Sequence, residues 1–102
     1  MVKGTTPTFK LMLSDETVDL TQANKVYAAF RQGCFLLRKQ DDDITVTANE
    51  VDVYLSQAET LQFKPGANIE VQLNWTYADG RRACSNIIRV PVTDNLIGSE
   101  LE

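Results

Sequence analysis

Apolar and polar residues alternate along most of this 102-residue chain, most regularly between Asn49 and Val92. From Ile69 to Tyr77 every odd position is apolar and every even position is polar. A period of two is typical of a strand with one buried and one solvated face. Strands are predicted, in chain order, at Thr8–Leu13, Lys25–Arg31, Phe35–Lys39, Ile44–Val46, Val51–Leu55, Ile69–Tyr77 and Ala83–Val92. The pattern predicts an all-β fold, an antiparallel β-sandwich.

The segments between the strands carry turn signals. Ser14–Thr17 and Gln40–Asp43 are polar and predict turns, whereas Val18–Thr21 predicts a short extended piece at a sheet edge. The chain is long enough for one domain, since two halves would each be too small to bury a core. We therefore expect a single domain over residues 1–102, with a loose arm at 1–6 and a tail at 93–102.

The segment Lys25–Arg31 has a competing helical interpretation, because its paired alanines favour a helix. Gly33 follows closely and leaves a run that is short even for a helix. On a strand, Val26, Ala28 and Phe30 share one face, which supplies an apolar surface for the core. The strand is therefore the favoured interpretation of this segment.

A short helical turn is predicted in the connection after Leu55. Ser56 and Glu59 have the spacing of a capping box, in which each side chain bonds the backbone of the other residue. We expect one turn of helix over Gln57–Leu61, after which Leu61 and Phe63 close one end of the core.

The register of the last hairpin is predicted from the positions that are apolar in each of its two strands. In the final strand the even positions, from Cys84 to Val92, are more apolar than the odd ones. They are expected to face inward with Trp75, which places Trp75 opposite Cys84 and requires a loop of two or four residues. Asp79-Gly80 suits a type I′ turn. A polar residue at Asn86 breaks the apolar set and predicts a bulge near Asn86-Ile87.

Composition excludes several kinds of function. The net charge is −4 and the basic residues are scattered, which argues against nucleic acid or an anionic membrane as the main partner. The chain has no histidine, so histidine-based catalysis and histidine metal sites are excluded. No apolar run is long enough to cross a bilayer and no signal peptide is visible, which predicts a cytoplasmic origin.

Two groups of residues are candidates for binding. Asp41–Asp43 offers carboxylates to calcium, but it lacks the spacing and the glycine of a calcium loop, and a solvated turn is the simpler interpretation. Trp75 and Tyr77 lie on one strand face and could form an aromatic platform. A core anchor is the simpler interpretation of Trp75, as in immunoglobulin-like domains. Tyr77 lies nearer the hairpin end.

Cys34 and Cys84 are the remaining reactive side chains. A reactive thiolate needs a base or a cationic field, and no histidine is present to supply one. The alternation of side chains is expected to place Cys34 on an outward face and Cys84 on an inward face. We therefore predict two unpaired, structural thiols. The carboxylates show no acid–base pairing. We expect no catalytic residues, no cofactor and no enzymatic activity.

The chain resembles small proteins of phages and prophages of Gram-positive bacteria, encoded among their structural genes. The resemblance covers most of the chain and rests on these segments: Thr5–Phe9, Val53–Leu61, Val71–Leu73, Ala78–Gly80, Val90–Val92 and Leu96. The middle motif is usually Leu-Thr-Gln-Glu-Glu-Thr in that family, and here Ser56 and Ala58 depart from it. These are fold motifs, so the resemblance implies no site residue. It does imply an immunoglobulin-like virion or tail-associated protein.

These observations lead to an expected function. We expect a phage structural or accessory protein of the tail or baseplate, located in the host cytoplasm during assembly and then in the virion. It is expected to dock through exposed sheet edges onto other structural proteins or a second copy, and not onto nucleic acid or membrane. The alternative is a carbohydrate- or ligand-binding module that uses exposed Tyr27, Tyr54 or Tyr77.

Overall fold

The alternating segments form eight strands in a computed structural model, which describes residues 1–13 and 17–101. The strands are β1 Thr8–Met12, β2 Lys25–Gln32, β3 Phe35–Gln40, β4 Ile44–Val46, β5 Glu50–Tyr54, β6 Asn68–Thr76, β7 Arg82–Cys84 and β8 Ile88–Pro91. One helix, α1 Gln57–Thr60, follows β5. Two 3-10 turns, Leu20–Gln22 and Asp41–Asp43, complete the regular elements of the described chain.

The strands form two sheets that pack face to face. The smaller sheet has the order β1-β5-β4, with β5 in the centre. In the larger sheet β3 pairs with β2 and β2 with β6, and the other side of β6 pairs with β7 near one end and β8 near the other. The pairings between these strands are antiparallel. The predicted all-β sandwich, with a short helical turn in a crossover, is therefore confirmed.

The core lies between the sheets and is built from one side of each strand. Its fully buried apolar residues are Leu11, Leu20, Val26, Ala28, Phe30, Val51, Val53, Leu55, Phe63, Ile69, Val71, Leu73, Trp75 and Val92. The strand interpretation of Lys25–Arg31 is confirmed, because β2 lies between β3 and β6 and sends Val26, Ala28 and Phe30 into the core. Trp75 is 3% exposed, which confirms it as a core anchor.

The segment Val18–Thr21 was predicted to be extended, and this prediction is wrong. Leu20–Gln22 forms a 3-10 turn, and Asp19 caps it by accepting a hydrogen bond from the Thr21 N–H at 3.0 Å. The turn directs Leu20 into the core, where it is 2% exposed. An aspartate cap is a local alternative to strand pairing. Of the turn predicted at Ser14–Thr17, positions 14–16 lie outside the described residues.

The hairpin between β6 and β7 has a three-residue loop, not the predicted loop of two or four. Tyr77 N–H donates to the Arg81 carbonyl at 2.9 Å, and Gly80 N–H donates to the Tyr77 carbonyl at 3.0 Å. Only Gly80, with φ of 91°, takes the left-handed conformation in this loop. A type I turn closed by a left-handed glycine accounts for the odd loop length.

The odd loop moves the register by one residue. Trp75 lies opposite Ala83, and Cys84 lies opposite Asn74, so the predicted pairing of Trp75 with Cys84 is wrong. Between β7 and β8 the chain inserts one extra residue, because four steps from Cys84 to Ile88 match three steps on β6. The predicted bulge near Asn86-Ile87 is therefore confirmed. Beyond it Val90 faces Ile69, and the even positions turn inward as predicted.

The crossover between β5 and β6 is confirmed in detail. The Ser56 hydroxyl accepts from the Glu59 N–H at 3.2 Å, and the Glu59 carboxylate accepts from the Ser56 N–H at 2.9 Å. Phe63 is fully buried and Leu61 is partly buried. The same Glu59 carboxylate accepts from the buried Lys39 ammonium at 2.8 Å, which joins α1 to β3. The crossover is thus fixed to the larger sheet.

Residues 1–6, expected to form a loose arm, pair with the start of the tail. Val2 and Thr93 form a parallel bridge, Lys3 N–H donates to the Thr93 carbonyl, and Thr93 N–H donates to the Met1 carbonyl. Gly4 permits the next bend with φ of 83°, and a side chain there would press on Leu61 at 3.2 Å. The arm then crosses from the larger sheet to the smaller one. The composition of residues 1–6 predicted a loose arm because it cannot reveal a pairing partner that lies about ninety residues later in the sequence.

Candidate functional site

The outer side of the larger sheet presents a continuous four-strand surface. Its side chains alternate with the buried core residues of β2 and β6, so they all point to solvent. We call this surface the arginine face; its cross-strand rows are Lys25–Thr76–Arg82, Gln40–Tyr27–Asn74–Cys84, Arg38–Ala29–Gln72 and Leu36–Arg31–Glu70–Arg89. Its fourteen positions come from β2, β3, β6, β7 and β8.

The arginine face is strongly basic although the chain is acidic. Five of its residues are basic and only Glu70 is acidic. Glu70 accepts from Arg31 at 2.8 Å and lies 3.6 Å from Arg89, so it links β2, β6 and β8. The hydrogen bond from Arg31 holds the pKa of Glu70 below its ordinary value. The carboxylate therefore stays ionised and fixes the two arginines in place.

Two other arginines are positioned without a carboxylate. The Arg38 guanidinium lies 5.5 Å from the centre of the Tyr27 ring, a cation–π arrangement. Arg82 donates to the Asn74 side-chain oxygen at 2.9 Å. Among residues 1–13 and 17–101 no carboxylate lies within ion-pair distance of Arg38 or Arg82. Both retain charge and donors for a binding partner.

A shallow depression of about 120 Å³ lies within the arginine face. Ala29 leaves room for it, and Leu36 and Ile87 border it with exposed fractions of 59% and 42%. Gln72 donates its side-chain amide to the Ser85 carbonyl at 2.9 Å, so that amide is held in place. Arg31, Glu70 and Gln72 complete its lining, so exposed apolar side chains lie beside an arginine, a residue type enriched at protein–protein interfaces.

A larger cavity of about 440 Å³ opens between the edges of the two sheets. Leu11 and Met12 of β1 line one side, and Ala83 and Ile88 line the other, with Trp75 between the sheets. The described lining carries no charged side chain. Val18 also contributes, and positions 14–16 lie outside the described residues. The described lining is apolar apart from Gln72, Cys84, Ser85 and Asn86, so the cavity is a mainly apolar gap between the sheet edges.

The candidate calcium ligands form an exposed 3-10 turn. Asp41–Asp43 lie at the end of β3, and Asp41 takes a φ of 56°. Gln40 donates to the Asp41 carboxylate at 3.2 Å, and Lys25 lies 3.9 Å from it. Within the described part of the chain no three histidine, cysteine or acidic side chains are grouped to hold a metal ion. The turn is a solvated, strongly acidic surface.

The candidate aromatic residues do not form a platform. Tyr77 is partly buried, its hydroxyl accepts from the Trp75 indole N–H at 3.1 Å, and Arg81 covers its ring at 4.9 Å. Tyr27 lies on the arginine face under Arg38. Tyr54 is 51% exposed on the outer side of the smaller sheet, so the three tyrosines occupy three separate surfaces.

Both cysteines are free and exposed. Cys34 lies in the turn between β2 and β3, as its outward parity predicted. Cys84 was predicted to face inward, and this prediction is wrong, because the three-residue loop turns it onto the arginine face opposite Asn74. No histidine is present to activate either thiol.

The arginine face is the feature that sequence reasoning missed. On β2, the residues Lys25, Tyr27 and Arg31 all occupy odd positions, and this pattern is visible in the sequence. On the last strand the signal is broken, because the bulge gives Arg82 and Arg89 opposite parity in sequence although both face outward. The basic residues therefore look scattered along the chain and gather only in the folded sheet.

Comparison with models of known families, with curated proteins and with solved structures finds no match to this chain. Within the described residues, no helix has the length and apolar character needed to cross a bilayer. The functional argument therefore rests on the geometry of the chain's own surfaces.

Proposed function

We propose that this chain is a structural or accessory protein of a phage or prophage particle, associated with the tail or baseplate, which acts by contact with other proteins. The phage setting comes from the sequence resemblance. The observation that carries the contact role is the arginine face, with its shallow depression and two arginines that have no carboxylate within ion-pair distance in the described part of the chain. Such a face suits a partner with acidic groups around an apolar centre.

Of the sheet edges expected from the sequence as docking surfaces, β1 and β3 are five and six residues long, but the other edges are poor surfaces for strand addition. The edge strands β4 and β7 have three residues each, and β8 has four and contains Pro91. A bulge also separates β7 from β8. Short, bulged and proline-containing edges are devices by which proteins avoid edge pairing. Contact through side chains of the open sheet face meets none of these obstacles.

We further propose that the sandwich is immunoglobulin-like. The order β1-β5-β4 facing β3-β2-β6-β7 corresponds to strands B-E-D facing C′-C-F-G of an immunoglobulin domain that lacks strand A. Two hallmarks differ: Trp75 lies on the strand equivalent to F, whereas the typical tryptophan lies on C, and no disulfide joins the sheets. The correspondence is therefore one of topology.

The ligand-binding alternative required two exposed aromatic side chains on one concave face. The three tyrosines occupy separate surfaces and Trp75 is buried, so no observation favours that function. The aromatic residues act instead as packing groups and, at Tyr27, as support for Arg38.

Particle incorporation tests the proposed function. The gene is expected to lie among tail or baseplate genes, and the protein is expected in fixed copy number in particles purified after prophage induction. Arg38→Glu with Arg82→Glu, introduced into the prophage, is expected to reduce incorporation about tenfold or more. Lys3→Glu with Lys64→Glu changes the net charge equally away from the face and is expected to have little effect. A protein that is abundant in lysates but absent from particles would overturn the proposal.

A further inference from the structure

The arginine face divides the chain into two regions of opposite charge. The face carries five basic residues and one acidic residue, a net charge of +4. Since the whole chain has a net charge of −4, everything outside the face carries −8. A field of one sign on one side and the opposite sign elsewhere steers association with a complementary surface. The molecule carries both members of such a complementary pair.

A symmetric contact through this face is unfavourable. Two copies that met face to face would place +4 against +4, and like charges across an interface cost several kcal/mol. The acidic remainder of a second copy is the complementary surface, and its densest exposed part is the turn Asp41–Asp43. In the described chain no ion pair involves Asp42 or Asp43, so their charges are free to meet a partner.

We infer that the arginine face binds the acidic turn of a second copy, so that copies associate head to tail. This inference rests on the proposed contact function and names its partner. The face lies on the side of the larger sheet, and the turn lies at the end of the sandwich where β3 stops. The turn adjoins the face within one copy, since Asp41 lies 3.9 Å from Lys25. A contact in which each copy offers its face to one neighbour and its turn to another is heterologous, and it generates rings or open filaments. A repeating assembly of this kind matches a component of a virion.

Nucleic acid is a weaker candidate for the same face. A polyanion would be repelled by the −8 that surrounds the face, and Glu70 stands in the row of Arg31 and Arg89. An acidic turn of three residues presents a compact charge to the face.

Sedimentation velocity with charge-reversal variants tests the inference. The wild-type protein is expected to associate in proportion to concentration at low salt, and the association constant is expected to fall about tenfold at high salt. Arg38→Glu with Arg82→Glu is expected to be monomeric alone, and so is Asp42→Lys with Asp43→Lys. When the two variants are mixed, the intact face of one meets the intact turn of the other, and association is expected to return.

Lys3→Glu with Lys64→Glu is the matched control, and it is expected to associate like the wild type. A wild-type protein that stays monomeric at low salt would overturn head-to-tail association and leave the proposed function to the particle experiment. Association unchanged by the face variant would also overturn it. Tight binding of a single-stranded oligonucleotide, lost in the face variant, would assign the face to nucleic acid instead.

Discussion

The crossover after β5 and the interruption between β7 and β8 both leave backbone groups without strand partners, but the chain satisfies them differently. At the crossover, Ser56 and Glu59 bond each other's backbone within four residues of sequence. At the interruption, the Leu73 N–H donates at 2.9 Å to the hydroxyl of Ser85, which follows β7 and is twelve residues away in sequence. One solution is local and the other depends on the fold. The difference predicts where each region is vulnerable.

Trp75 beside the interruption is expected to give the largest effect. It lies opposite Ala83, whose side chain fills little of the core, so the indole supplies most of the packing there. Trp75→Ala is expected to lose about 3–5 kcal/mol of unfolding free energy. Denaturant unfolding measures the loss, with Tyr54→Ala on the exposed side as a control that costs little.

The fluorescence of Trp75 checks the same prediction without a folded mutant. A buried indole is expected to emit at short wavelength and to resist quenching by iodide. Trp75→Phe, which keeps an aromatic ring, should fold and lose less stability. Long-wavelength emission with easy quenching would contradict the register of β6.

The ion pair at the crossover is expected to give the next largest effect. The Lys39 side chain is 8% exposed, and its ammonium donates to both carboxylate oxygens of Glu59. Lys39→Met keeps the length of the side chain but leaves a partly buried carboxylate without its partner, and about 2 kcal/mol is expected to be lost at neutral pH. The double variant with Glu59→Gln should recover part of this loss. A loss in the double variant equal to the sum of the losses in Lys39→Met and Glu59→Gln would show that the pair is not coupled.

Acid is expected to weaken the crossover selectively. Burial alone would raise the pKa of Glu59, but hydrogen bonds from Lys39 and Ser56 outweigh it and lower the pKa below its ordinary value of 4.5. The carboxylate therefore stabilises the fold above pH 4.5, and the stabilisation is lost as the pH falls through the lowered pKa. Unfolding free energy measured against pH should fall less steeply below 4.5 in Glu59→Gln than in the wild type.

Ser56→Ala is expected to cost about 1 kcal/mol, because the Glu59 N–H loses its cap while the ion pair remains. Ser56→Asp, which can accept the same hydrogen bond, serves as the rescuing variant. The denaturation midpoint should be lower in Ser56→Ala than in Ser56→Asp. An unchanged midpoint in Ser56→Ala would contradict the role of the cap.

Ser85→Ala is expected to give the smallest effect, about 0.5–1 kcal/mol. The Leu73 N–H loses the hydroxyl, but Ser85 N–H still donates to the Leu73 carbonyl at 2.9 Å. Hydrogen exchange at Leu73 should accelerate while exchange at Ala29, which pairs with Gln72 on the β2 side of β6, should not. Faster exchange at both amides would show that the interruption and the continuous side of β6 open together.

The sequence predicted those features whose causes lie close together in the chain. Alternation placed the strands and buried Trp75, and the Ser56–Glu59 spacing predicted the capping box. It did not predict the pairing of Trp75 with Ala83. Asp79-Gly80 is compatible with loops of two or three residues, and a difference of one residue in the loop turns the side chains of the following strand to the other face. The arginine face was hidden for the same reason, since its members come from strands far apart in sequence and the bulge changes their parity.

The bridge between Val2 and Thr93 also sets an order of events during synthesis. The β2–β3 hairpin joins neighbouring segments and is able to form as soon as both have left the ribosome. Val2 precedes Thr93 in the chain, so it has no partner until Thr93 has been made. Contacts between distant residues form slowly, because a long loop must close before they are gained. The seam between the sheets near Val2 is therefore closed last, when almost all of the core is already in place.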